Sequence, residues 1–347
     1  MISGSRNRRD WRVILWLSLA SALISAYFGY AVGEGNVPGW RSALSGVFNS
    51  LVIATPILLF EVKGQRLGFV RRLRRLPLLW YFLFRVAFYS VIIVGGLIAS
   101  RATIGKNGFS FDATFRDSLV FAISMAAVAN IAFQIGLLLG FRTLSNLVTG
   151  RYAKPKAEQR VFLLIDMKNS TGLAERLGPI RFHELLNDFF RDVADAALEC
   201  GAEIHKYVGD EAILTWSRDK AVSDGSCLAC PFVARRHIAD NAEDYRRRFG
   251  ALPEFRAALH SGEIVAGEIG DVRREIAYVG DTLNVAARLL EASKTLQRDV
   301  LISAELLTSV RLPAQLIAKP LPTLSIRGRA APLAIAALTL RVGQDQV

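Results

Sequence analysis

Cysteine and histidine are scarce in this chain, three of one and four of the other among 347 residues. Cys200, Cys227 and Cys230 cannot build a disulfide framework and fit a reducing compartment. Cys227 and Cys230 form a C-x-x-C, but no second Cys or His pair is spaced to complete a zinc site. They are expected to face a core together from the helix-like stretch CLACPFVARRHIAD. None of His183, His205, His237 and His260 falls in a long apolar run, which excludes histidine-ligated haem there. Acidic residues are outnumbered, 31 against 43 Lys plus Arg. Internal repeats and low-complexity tracts are absent.

What the chain has in excess is apolar length, and its mean hydropathy is positive. Four runs in the first half, 11–32, 44–62, 77–100 and 118–141, are each about 20 residues long, enough to cross a hydrocarbon core of roughly 30 Å. The first is long, lacks a convincing small-residue cleavage site and is followed by three runs of the same kind, so an uncleaved membrane anchor is expected. Arg6, Arg8 and Arg9 precede the first run, and KGQRLGFVRRLRR lies between the second and third. This asymmetry places both termini and the whole second half in the cytoplasm. It also assigns the basic excess to topology and anionic headgroups and not to nucleic acid. The expected organisation is an all-α transmembrane domain of four helices over 1–141, a linker over 142–160 and a mixed α/β domain over 161–342. Gly150 and Pro155 predict a short helix and then extended chain within the linker. The ligand of the membrane domain is unknown from sequence, and small residues such as Gly95 and Gly96 would permit close helix packing.

In the second half RVFLLIDM reads as an apolar strand, with Asp166 at its end before a polar turn and the helical stretch STGLAERLGPIRFHELLNDFFRDVADAALECG. A carboxylate there serves equally as a helix cap or as part of a phosphate-binding turn. HKYVGDEAILTW reads as a hairpin whose tip is Gly209 and Asp210, followed by Glu211. A long helix is expected to about Arg248, and EFRAALHSGEIVAGEIG reads as two strands about a Ser-Gly turn. GDTLNVAARLLEASK predicts a helix on which Asn284 and Arg288, four apart, share one face while Val285, Leu289 and Leu290 turn inward. If the first strand and the hairpin are sheet neighbours, Asp166 and Asp210 approach each other, and two such carboxylates suit a hard cation.

FLLIDMKNSTGLAERLG, HKYVGDEAILTW, ALHSGEIVAGEIG and AYVGDTLNVAARL, in that order, resemble the catalytic domain of class III nucleotidyl cyclases over about 159–340, and membrane-anchored bacterial adenylyl cyclases most of all. The resemblance implies a ferredoxin-like α/β core, a homodimer with two sites at its interface, and conversion of ATP to cyclic AMP and pyrophosphate with two Mg²⁺ or Mn²⁺ ions per site. By position it implies metal ligation by Asp166, Asp210 and the Met167 carbonyl, and terminal-phosphate binding in the turn at Thr171. It further implies adenine recognition by Lys206, ribose positioning and transition-state stabilisation by Asn284 and Arg288 of the other subunit, and phosphate binding by Arg327 or its near neighbour Arg329. Ala277 departs from the family's Asp or Thr and cannot accept a hydrogen bond from the purine, so guanylyl cyclase activity stays open as an alternative. A diguanylate-cyclase-like hairpin and a degenerate nucleotide-binding receiver are the others, and Glu211 has no assigned role.

Overall fold

A computed structural model describes residues 3–32, 38–64, 70, 73, 76–104, 113–272, 274–326 and 331–341. The chain divides into two units, Met1–Leu144 and Ser145–Val347. The first contains the long helices α1 (Ser3–Val32), α2 (Gly39–Lys63), α3 (Leu78–Ile104) and α4 (Ala113–Leu139). Each holds a stretch long and apolar enough to cross a membrane: Ile14–Ala31, Gly39–Lys63, Leu79–Ala99 and Phe115–Gly136. Ile53, Tyr89, Ile93, Leu97 and Phe115 pack inside, while Trp16, Leu23, Tyr27, Trp80 and Val91 face outward. Apolar groups on both the inner and the outer faces suit a bundle solvated by lipid.

Close helix approach depends on small residues, but only partly on the expected ones. A Cβ on Gly96 would meet Ile53, whereas one on Gly95 would meet nothing, and the tightest approach is Gly46 of α2 against the Ser25 carbonyl of α1. The last long helix stops at Leu139, short of the expected limit, because Gly140 turns left-handed at φ 85°. The short helix α5 (Phe141–Val148) follows, then turns and bends to Pro155, and extended chain begins only at Lys156.

The second unit is built on one sheet of order β2-β3-β1-β4-β6-β8-β7, with β5 paired to the far half of β4. Its strands are β1 (Lys156–Met167), β2 (Glu203–Val208), β3 (Glu211–Ser217), β4 (Phe255–Ile269), β5 (Glu275–Val279), β6 (Val300–Ser303), β7 (Leu316–Leu324) and β8 (Leu333–Leu340). β1 is central, antiparallel to both β3 and β4. Alternate residues explain its unbroken apolar run. Val161, Leu163 and Ile165 enter a core with α7 (Pro179–Glu199), while Phe162 and Leu164 enter another with Val285 and Leu289 of α11 (Asp281–Thr295). Cys200, Cys227 and Cys230 are all buried in the first core, and burial pushes the Cys227 thiol up to about 12.

Three expectations change. The helix expected to run to Arg248 is three pieces, α8 (Arg218–Asp224), α9 (Ser226–Asp240) and α10 (Ala242–Phe249), broken at the left-handed Gly225 and at Asn241. β4 is one strand and does not turn at Ser261 and Gly262. A Cβ on Gly262 would come within 2.5 Å of Thr282 Oγ1, so this glycine admits the start of α11. β1 also begins at Lys156, earlier than the apolar run suggests.

Arg160 is almost fully enclosed, at 1% exposure. Its Nε donates to Glu158 at 3.1 Å, Nη1 to Glu203 at 3.2 Å and Nη2 to the Tyr152 hydroxyl at 3.1 Å, with the Tyr278 ring 5.0 Å from its Cζ. Deleting the guanidinium strands two part-buried carboxylates. Arg160→Ala is expected to cost about 3–5 kcal/mol, a drop on the order of 10 °C in the thermal midpoint of a domain this size. Thermal unfolding of the detergent-solubilised chain checks this.

Candidate active site

The end of β1 and the tip of the β2-β3 hairpin bring a cluster of carboxyl groups together. Asp166 lies directly across from Glu211 in the register, and the Met167 N–H donates to the Asp210 carbonyl at 3.4 Å. The hairpin closes through Gly209 at φ 60°, with positive φ confined to that first central residue, the pattern of a type II′ turn. Burial, then the charge of Asp210, raises the pKa of Asp166 above the ordinary carboxylate range. Burial, followed by the charges of Asp166 and Asp210, pushes Glu211 up to about 7.

Burial accounts for the larger part of both shifts, and the neighbouring carboxylates for a further part that a cation would relieve. Two side-chain cations already oppose this charge: Lys294, on the last turn of α11, places Nζ 3.3 Å from Asp166 Oδ2, and Arg256 stands across from Asp166 on β4. Neither Lys294 nor the Asp166–Glu211 pairing is read from the sequence. Lys294 lies 128 positions beyond Asp166 in the numbering, and its partner appears only when α11 packs across β1. Among the described residues no group of three or more His, Cys, Asp or Glu side chains is arranged to hold a metal ion. Two aspartates and a backbone carbonyl instead suit an ion that takes its remaining ligands from water and phosphate oxygens, the habit of Mg²⁺.

Thr171 is exposed in the first turn of α6 (Ser170–Leu177), which follows Asn169, a residue held in the left-handed region at φ 54°. The free amides of that turn favour an anion. Lys206, on β2 and about half exposed, pairs through Nζ with Glu275 Oε1 of β5 at 3.3 Å. Glu275 and Ala277 are two apart on β5 and therefore share a face. Asn284 and Arg288 are exposed on α11 while Val285, Ala286, Leu289 and Leu290 are buried, and Arg288 Nη1 bonds Glu291 at 2.9 Å. Arg327 and Arg329 lie outside the described residues.

Strands β1 to β4 with the α6/α7 and α11 layers define a nucleotide-cyclising catalytic domain, and residues 153–333 match the adenylate and guanylate cyclase catalytic domain. The chain belongs to that class III nucleotidyl cyclase family. It is 36% identical over 333 residues to adenylate cyclase 2 of Rhizobium meliloti (strain 1021), covering 94% of this chain and 90% of the relative. It is 27% identical over 157 residues to an adenylate cyclase of Anabaena cylindrica, covering 44% of this chain and 30% of that one. A bacterial light-regulated adenylyl cyclase shares the fold at a TM-score of 0.52 and 15% identity, over 68% of this chain and 66% of its own.

Proposed function

We propose that the chain is a membrane-anchored adenylyl cyclase that converts ATP to cyclic AMP and pyrophosphate at the interface of a homodimer. The observation that carries this reading is the meeting of Asp166 and Asp210 at the mouth of β1, a donor set for divalent cations beside a helix N-terminus open to phosphate. Asp166, Asp210 and the Met167 carbonyl would hold two Mg²⁺ or Mn²⁺ ions. When bound, these ions neutralise the triphosphate and lower the pKa of the ribose 3′-hydroxyl. The amides at Ser170 and Thr171 receive the terminal phosphates, which lines the α-phosphorus up for attack by that hydroxyl. Asn284 orients the ribose, and the Arg288 guanidinium neutralises charge that grows on the phosphoryl oxygens. Arg327 or Arg329 adds a further cation toward the phosphates.

A dimer is favoured because Asn284 and Arg288 face outward on α11 and because Tyr207, Val208, Val265, Ile269 and Val279 leave an apolar surface on the hairpin and on the β4-β5 arm. The four apolar helices and the basic flanks favour a bacterial plasma membrane with the catalytic domain in the cytoplasm. Lys206 favours adenine, since its ammonium donates to a ring nitrogen that carries no proton in adenine and a proton in guanine. Ala277 supplies no acceptor for the exocyclic amine and leaves guanylyl cyclase as the second reading.

Incubation of the solubilised chain with ATP or GTP and Mn²⁺, with the product identified by mass, tests the proposal. Cyclic AMP is the expected product, and cyclic GMP in excess would replace the first reading with the second. Lys206→Gln is expected to lower kcat/KM for ATP by about 10–100-fold, the worth of one charge-assisted hydrogen bond, and to leave kcat/KM for GTP nearly unchanged. Parallel steady-state assays read both.

A further inference from the structure

The interior of the four-helix unit is not wholly apolar. Arg85 of α3 is 2% exposed, and its Nη2 and Nε donate to the Tyr89 hydroxyl at 2.8 and 3.0 Å. Nη2 also pairs with Glu61 of α2. The guanidinium lies 5.4 Å from the Phe133 ring of α4 and 5.4 Å from the Tyr81 ring of its own helix. On α4 beside Phe133, Asn130 is 2% exposed and neither of its amide atoms has a partner. Gln134 Nε2 and Arg85 Nη1 are also buried without one. Asn130 and Gln134 are four apart and share a helix face.

A structural ion pair accounts for Glu61, Arg85 and Tyr89. It does not account for three buried donors and one acceptor left unmade on two adjacent helices. Each such group costs free energy in an apolar interior, and apolar residues of the same shape would avoid that cost. Arg85 and the two amides are linked through Phe133, whose ring lies 5.4 Å from the guanidinium and which sits between Asn130 and Gln134 on α4. A few polar groups set among apolar side chains are the mark of a ligand site, and an ionisable group at membrane depth points the same way.

We propose that Glu61, Arg85, Tyr89, Asn130 and Gln134 form a binding site within the membrane bundle for a neutral amphiphile whose head bears a carbonyl and a hydroxyl. The inference rests on the membrane-spanning reading above. Glu61 already neutralises Arg85, so a carboxylate head would bring an uncompensated charge, whereas a neutral carbonyl satisfies Arg85 Nη1 and the two amide donors. A hydroxyl supplies the proton that Asn130 Oδ1 lacks. An apolar tail follows from the way in, because the outer faces of the same helices are Trp80, Leu83, Ile131 and Ile135, which are lipid-facing in a bilayer. Arg85 lies about 10 Å along α3 from its start and Gln134 about 8 Å before the end of α4, at 1.5 Å per residue. This puts the site near the end of the bundle where α4 continues through Gly140 toward β1.

The test uses the full chain in phosphatidylcholine nanodiscs with 1-decanoylglycerol as probe, and decanoate as the anionic control of equal chain length. Asn130→Leu and Gln134→Leu serve as variants because they leave the Arg85 pair intact. Expected are a saturable rise in thermal midpoint with 1-decanoylglycerol, at least about tenfold weaker in either variant for the loss of one or two hydrogen bonds. A diazirine-bearing analogue at a concentration below saturation should crosslink to peptides of α3 or α4 more in the wild type than in either variant. Without probe, either variant should be as stable as wild type or more so, since an unpaired buried amide has been removed. The proposal is overturned by no shift with the probe, by an equal shift in wild type and variants, by a stronger effect of decanoate, or by variants that lose stability without probe. Release of the chain from membranes by alkaline carbonate would instead overturn the membrane reading. Retention without a probe shift overturns the site alone.

Discussion

Asp166→Asn and Asp210→Asn are each expected to lower turnover about a thousandfold, the several kcal/mol that cation-assisted charge stabilisation contributes to phosphoryl chemistry, if the two aspartates hold the proposed ions. Asparagine keeps the shape and removes the charge, so the loss is chemical and not one of folding. The structure supports a further sign. Burial and then Asp210 raise the Asp166 pKa, so the two carboxylates repel in the absence of a divalent cation, although Lys294 and Arg256 partly offset the charge on Asp166. Without divalent ions, Asp210→Asn should therefore be at least as stable as wild type. With Mn²⁺, the wild-type thermal midpoint should rise with ion concentration, and that of either variant should not. Turnover near the wild-type rate in either variant would defeat the assignment. So would a midpoint that responds to Mn²⁺ equally in all three proteins.

Mixing Asp210→Ala subunits with Arg288→Ala subunits is expected to restore activity that neither possesses alone, if the proposed homodimer builds each site from two copies. In one copy of the chain Arg288 is exposed and bonds Glu291 on its own helix, so in the proposed homodimer Asp210 would receive its arginine from a second copy. A mixed dimer then joins both lesions in one site and leaves the other intact. With random exchange half the dimers are mixed and carry one working site of two, so recovery to about a quarter of wild-type turnover is expected. Arg288→Ala alone should cost about 10²–10³ in kcat, the loss on removing one preorganised donor at developing charge. Titrating one variant against the other in an activity assay gives the curve, and a flat line would mean that each site is built within a single chain.

Much of this molecule is legible in its sequence because some signals are local. RVFLLIDM lacks the alternation of a half-solvated strand because both faces of β1 are covered, by α7 on one side and α11 on the other. The hairpin needs Gly209 and Asp210 for its turn, so a backbone requirement marks the position of a carboxylate. The exposed pair Asn284 and Arg288 follows from helical period alone. Glycine misleads where its purpose is not local. Ser261-Gly262 has the composition of a turn, yet Gly262 serves the approach of Thr282, on a helix that begins 19 residues later in the numbering. β5 goes unread for a related reason, since EIAYV is too short to show a period and is held as a strand by its pairing with β4.

Glu211 shows where local reading stops. In sequence it is the residue after a turn. In the sheet it stands opposite Asp166, and burial with two neighbouring carboxylates pushes its pKa up to about 7. Lys206 is similar, found by its place in a motif, while its partner Glu275 comes from β5.

By itself the sequence determined the four apolar runs, the apolar strand RVFLLIDM, the hairpin tip and the outward face of α11, because each is written in the spacing of neighbouring residues or in the φ/ψ that a turn demands. Only the tertiary structure decided that Lys294 pairs with Asp166, that Glu211 joins the carboxyl cluster, and that Arg85 meets Glu61 inside the bundle. Charge and hydrogen-bond energies depend on distances of a few ångströms between groups far apart in the chain, and packing alone sets those distances.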